Sequence, residues 1–88
     1  MLSQYPEDLE ILLNYSEALL WAKEFATAKD NYKEILSNHP ENFSALLGYA
    51  NTLSNLKDYE DALIYVNKAL EISPNNNNAK TSRKYINK

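Results

Sequence analysis

Proline occurs three times in this chain, at Pro6, Pro40 and Pro74, and the two intervals are equal. Proline lacks an amide donor and its ring clashes with the preceding helical turn, so each one ends or interrupts a helix. Three evenly spaced stops imply copies of one unit. Laying residues 9–42 over 43–76 without a gap gives nine identities: Leu12/Leu46, Leu13/Leu47, Tyr15/Tyr49, Leu19/Leu53, Lys23/Lys57, Ala28/Ala62, Leu36/Leu70, Pro40/Pro74 and Asn42/Asn76. Glu24/Asp58 and Phe25/Tyr59 are near-matches. The period constrains the fold more than any other feature does.

Each unit reads as two helices. Leu12, Tyr15, Ser16 and Leu19 recur at helical spacing, as do Leu46, Tyr49, Ala50 and Leu53. A polar break follows (Lys23-Glu24, Lys57-Asp58). Then come Phe25, Ala28, Tyr32, Ile35 and Leu36 in one unit, and Tyr59, Ala62, Val66, Ala69 and Leu70 in the other. Asp8, Asn42 and Asn76 stand where a short polar side chain can accept from the orphan amides of a helix start. The pattern predicts helices near 8–22, 25–38, 42–55, 59–72 and 76–87. The single glycine argues against β-hairpins and phosphate-cradling loops. The expected class is all-α.

These residues resemble the tetratricopeptide repeat, whose period is about 34 residues, as it is here. The second unit matches best, through Leu46, Tyr49, Ala50, Leu53, Ala62, Val66, Ala69 and Pro74. The first departs from the pattern at Ser16, where Gly or Ala is usual, and at Ile35, where Ala is usual. The resemblance implies an α-solenoid of antiparallel helix hairpins, with residues 1–8 as the tail of a preceding repeat, repeats at 9–42 and 43–76, and a capping helix over 77–88. A free-standing helical bundle would explain the amphipathic faces but not the period. Small side chains allow close helix approach, which accounts for Ala28, Ala50, Ala62 and Ala69. The bulk of Ile35 predicts looser packing of its helix.

In this family a groove lined by the first helices usually holds a partner protein or peptide. With Leu12, Tyr15, Ser16 and Leu19 facing inward, helical register points Glu10, Leu13, Asn14, Glu17, Leu20 and Trp21 at the groove. Ser44, Leu47, Gly48, Asn51, Ser54 and Asn55 follow in the second unit, then Asn78, Thr81, Ser82 and Tyr85. Leu13, Leu20, Trp21 and Leu47 are large apolar groups on a face that packing within the repeat does not need. Trp21 has two readings: a binding anchor, or a lid folded over its own hairpin against Phe25. Asn14, Asn51 and Asn55 have the chemistry to bond a peptide backbone, and equally that of solvated helix surface. Gly48 would leave the groove floor open. One variant of the family grips terminal carboxylates with basic side chains. The corresponding positions here are Leu13, Glu17, Gly48, Asn78 and Ser82, none of them basic, so the expected ligand is a helix or a mixed apolar–polar segment.

Catalysis finds little footing. There is no cysteine, and the one histidine, His39, lies in a loop before Pro40. Nucleophile–base pairs and His/Cys metal clusters therefore have no material, and no cofactor is expected. Adjacent acids such as Glu60-Asp61 diverge around a helix. RNA-binding helical repeats of similar period need a basic groove, whereas the pI here is about 5.0 and the groove carries Glu10 and Glu17. No stretch is apolar enough to span a membrane and no signal peptide opens the chain, which favours the cytoplasm. Residues 1–76 hold twelve acids and five lysines, net −7, while 77–88 hold four bases and no acid. Within that last segment Ala79, Ser82 and Ile86 form a thin inward face. A further face of the first helix, around Ile11, Ala18 and Ala22, is left for a neighbour, so self-association through this edge, or a purely structural role in a larger repeat protein, stands beside partner binding.

Overall fold

The computed structural model describes residues 9–86. The expectations for residues 1–8, including Asp8 as a cap, and for Asn87 as the helix end lie outside that range. Five helices follow in order: α1 (Leu9–Trp21), α2 (Phe25–Asn38), α3 (Phe43–Asn55), α4 (Tyr59–Ile72) and α5 (Asn77–Ile86). Among the described residues there is no strand.

The helix ends are built by short, repeated devices. Asn42 Oδ1 accepts from the Ala45 amide at 2.9 Å, and Asn76 Oδ1 accepts from Ala79 at 3.0 Å. Each cap satisfies one of the amides that a helix start leaves unpaired. α1 and α3 end on Lys23 and Lys57, at φ of 65° and 68°. The Glu24 amide donates to Leu19 O and that of Lys23 to Leu20 O; Asp58 and Lys57 donate likewise to Leu53 and Ser54. These paired bonds form a Schellman ending, which usually has glycine at the left-handed residue. Here lysine carries that strain in both hairpins.

Successive helices pack on each other, and α3 also touches both α1 and α5. Two hairpins and a fifth helix thus stack side by side, with the odd-numbered helices forming one wall. Ala28, Ala50, Ala62 and Ala69 are fully buried, which lets neighbouring backbones approach closely. α3 sits at the centre and buries seven residues, whereas α1 at the edge buries only Ser16. Tyr49 reaches Tyr65 edge to face, centroids 4.6 Å apart at 70°, a favoured aromatic geometry.

Two sequence expectations change. Tyr15, assigned to the packed face of α1, is 57% exposed, while its counterpart Tyr49 is 7% exposed. Tyr49 is covered because α2 precedes α3; among the described residues no helix precedes α1, and the residue one repeat before Tyr65 is Asn31, which offers Tyr15 no aromatic partner. Ile35 is buried at 4%, and α2 retains the same three core places as α4: Ala28, Tyr32 and Ile35 against Ala62, Val66 and Ala69. The extra bulk is absorbed without exposing the helix.

Ser16 Oγ is buried and has no hydrogen-bond partner. A buried hydroxyl left unpaired costs about 1–3 kcal/mol, and Ala50 holds the equivalent place in α3. Ser16→Ala is expected to raise stability by about 1 kcal/mol in urea denaturation; a loss would mean that the hydroxyl has a partner. Independently, Lys57→Gly removes a left-handed strain of about 1 kcal/mol. It is expected to raise the denaturation midpoint with helicity unchanged by circular dichroism.

Candidate functional site

Because α1, α3 and α5 stand side by side, their outward register positions share one surface. The structure opens an indentation of about 450 Å³ there, between α3, the start of α4, and α5. Its lining is Asn51, Ser54, Asn55, Tyr59, Ser82 and Tyr85. Asn51 and Asn55 are one helical turn apart on α3, and Asn55 Nδ2 donates to Asn51 O at 2.8 Å. Tyr85 is 69% exposed and Tyr59 46%.

Of the residues that register assigned to the groove, Asn51, Asn55 and Tyr85 are brought together here, with Ser54 and Ser82 beside them. Leu13, Asn14, Glu17, Leu20, Trp21 and Leu47 do not line this cleft. Leu13, Leu20 and Leu47 are half-buried and packed against the core cluster, which corrects the expectation that packing does not need them. A helix stacked on two neighbours has a wider apolar arc than a hairpin helix has. Asn14 and Glu17 are exposed on α1. Trp21 is 79% exposed, so it does not fold over its hairpin as a lid.

Register along the first helices missed Tyr59, the opening residue of α4. Its repeat counterpart is Phe25, half-buried. The exchange of Phe for Tyr was the available signal, since a phenol at a half-covered place keeps its hydroxyl in water.

The floor is also not where glycine suggested. Gly48 is buried beneath the ring of Tyr32, and a Cβ at Gly48 would overlap Cζ, Cε1 and Oη of that tyrosine. The phenol of α2 thus passes between α1 and α3 and fills the space that glycine leaves. Burial, and then the nearby Glu17 carboxylate, push the Tyr32 hydroxyl up to about 12, which keeps it neutral throughout the physiological range. Thr52 Oγ1 donates to Gly48 O at 2.8 Å inside the same contact.

Amides, hydroxyls and two tyrosine rings line the cleft, with no acid–base pair aimed at a common point. Among the described residues no group of three His, Cys, Asp or Glu side chains is placed to hold a metal. His39 is exposed in the turn after α2. No helix among the described residues is long and apolar enough to cross a membrane.

A sequence model described as "Tetratricopeptide repeat" matches residues 22–83, which is more than half of the chain. Comparison with curated proteins finds no match.

The Tyr32–Gly48 contact yields a test with an unusual sign. Gly→Ala inside a helix ordinarily gains about 1 kcal/mol, but here the methyl group meets a buried ring. Gly48→Ala is expected to lose about 1–3 kcal/mol. In a Tyr32→Val background, where Val matches Val66 of the next hairpin, the same change is expected to become stabilising. A double-mutant cycle in urea reads the coupling; stabilisation by Gly48→Ala alone would show that the ring moves aside freely.

Proposed function

The chain belongs to the tetratricopeptide repeat family, and on that premise we propose that it is a non-catalytic scaffold whose concave wall takes up an extended segment of a partner protein. Tetratricopeptide repeats generally mediate protein–protein interaction, and the α3–α5 cleft is the part of this wall best suited to it. The observation that carries the reading is the joint lining by Asn51, Asn55, Tyr59 and Tyr85. Side-chain amides bond backbone N–H and C=O groups, and tyrosine supplies contact area at small entropic cost because it has few rotatable bonds. A volume of about 450 Å³ is in the range of small-ligand clefts. It suits a few residues of extended chain better than a helix.

The apolar contribution differs from what sequence register implies. Leu13, Leu20 and Leu47, half-buried already, gain little from a ligand. Trp21 has almost all of its surface still to bury, and it serves as an anchor at the α1 end. The acidic Glu17 beside Tyr32 opposes ligands that end in a bare carboxylate, and it opposes nucleic acid for the same reason.

A random-peptide library displayed against the intact chain tests this reading. Selected peptides are expected to bind the wild type and to weaken on the order of tenfold on Asn51→Ala/Asn55→Ala, the loss of one or two backbone hydrogen bonds. Tyr85→Ala is expected to act in the same direction, with circular dichroism unchanged for all variants. Equal binding to wild type and to the asparagine double variant would remove the cleft from the proposal.

A further inference from the structure

Whatever the α3–α5 cleft offers a ligand comes from side chains. Among the described residues there is no strand, so no sheet edge is present to pair with a peptide backbone. The interior amides and carbonyls of α3 and α5 are engaged within their own helices. The lining is two amides, two hydroxyls and two phenols, with no Asp, Glu, Lys, Arg or His among them. Asn55 is held by the bond from its Nδ2 to Asn51 O at 2.8 Å. A side-chain amide has two N–H groups, so this bond fixes the Asn55 amide and uses one of them.

These properties discriminate among chains. A helical ligand satisfies its own backbone and docks through apolar anchors, for which a lining without Leu, Ile or Val is poorly made. An ordinary extended peptide brings one N–H and one C=O per residue, and both need partners where the wall covers them. Six side chains serve both kinds of group over very few residues. Proline has no N–H, so a proline-rich segment brings carbonyls alone, and amide, hydroxyl and phenol groups all have donors for these.

On the premise that the cleft is a peptide site, we infer that it takes a proline-rich segment in the polyproline II conformation. Pyrrolidine rings rest on Tyr59 and Tyr85, and backbone carbonyls accept from Asn51 and Asn55. Polyproline II has no internal hydrogen bonds, so its carbonyls stay open to a partner. The conformation exists before binding, and a short contact therefore loses little entropy. That matters here because a cleft of about 450 Å³ touches only a few residues. The exposed rings of Tyr59 and Tyr85 meet the remaining requirement, since proline-rich segments dock in aromatic-lined grooves. A lining without charge suits the same ligand, whose side chains carry none.

Solution NMR titration of the intact chain reads the outcome. The probes are two end-blocked, uncharged peptides of about nine residues, three turns of polyproline II: one all proline, the other alternating glycine and serine. The proline peptide is expected to shift the side-chain amide signals of Asn51 and Asn55. It is expected to bind on the order of tenfold tighter than the flexible peptide, which has more freedom to lose. Tyr85→Ala is expected to weaken it on the order of tenfold, and Tyr85→Phe, which keeps the ring, to weaken it little. Each variant is checked for unchanged helicity. Equal affinity for the two peptides overturns the inference, as do shifts confined to residues outside the cleft, or full binding by Tyr85→Ala. The peptide site itself fails differently. Library-selected peptides that bind the cleft without proline discard polyproline II and keep the site, whereas binding that no cleft variant alters discards both.

Discussion

The stacking of one hairpin's second helix on the first helix of the next is the contact on which the rest of this molecule depends. A single hairpin of amphipathic helices can cover one apolar face of each member and no more. α3 escapes that limit because α2 lies against one side and α4 against the other, and it consequently buries Ala45, Leu46, Gly48, Tyr49, Ala50, Thr52 and Leu53. Tyr49 shows both neighbours at once: its ring meets Tyr65 of α4, and its hydroxyl, raised first by burial and then by Tyr65, also feels Asp30 of α2. Small residues make this possible, since side chains no larger than alanine at Ala28, Ala50 and Ala62 let three helices share one core.

That contact sets the position of the wall formed by α1, α3 and α5. Once α2 and α4 are wedged behind them, α1, α3 and α5 have one remaining direction in common, and whatever stands on that side is presented together. The wall is therefore a by-product of packing, and its exposed positions are freer to vary than the half-buried Leu13, Leu20 and Leu47. Tyr32 marks the boundary between the two demands. Its ring fills the core over Gly48, while its hydroxyl lies near Glu17 on the wall, so a change there would alter stability and surface together. Asn51 and Asn55, in contrast, sit on the wall alone.

The fold was legible in the sequence because its determinants are periodic. The even proline interval, the asparagines before α3 and α5, and the alanines at helix contacts each recur, and recurrence is what a single sequence displays best. What escaped was whatever depends on the neighbour being present or absent. Tyr15 and Tyr49 are identical letters in identical register, yet one is exposed and the other buried, because burial belongs to the stack and not to the residue. Gly48 looked like an opening; the volume that fills it belongs to Tyr32, on the helix before. Leu13, Leu20 and Leu47 looked spare because an isolated hairpin has a narrower apolar arc than a stacked one. Tyr59 was overlooked because it opens a second helix, and only the stacking angle brings that end round to the wall.

The stacking contacts also carry information about order. In the first interface a large tyrosine, Tyr32, faces the smallest residue, Gly48. Moving both by one repeat gives Val66 and Ser82, a smaller side chain on the second helix and a larger one on the first. The two repeats thus divide side-chain bulk between their second and first helices differently. If α2 were laid on α5, the tyrosine ring would meet the Ser82 side chain; if α4 were laid on a second α3, Val66 would leave a void above Gly48. Both mismatches cost free energy, by overpacking in one case and by a cavity in the other. Hairpins built on one pattern risk exchanging places, as repeat proteins do when they misassemble. Complementary pairs of unequal size at successive interfaces favour the native order over the exchanged one, using the same residues that close the core.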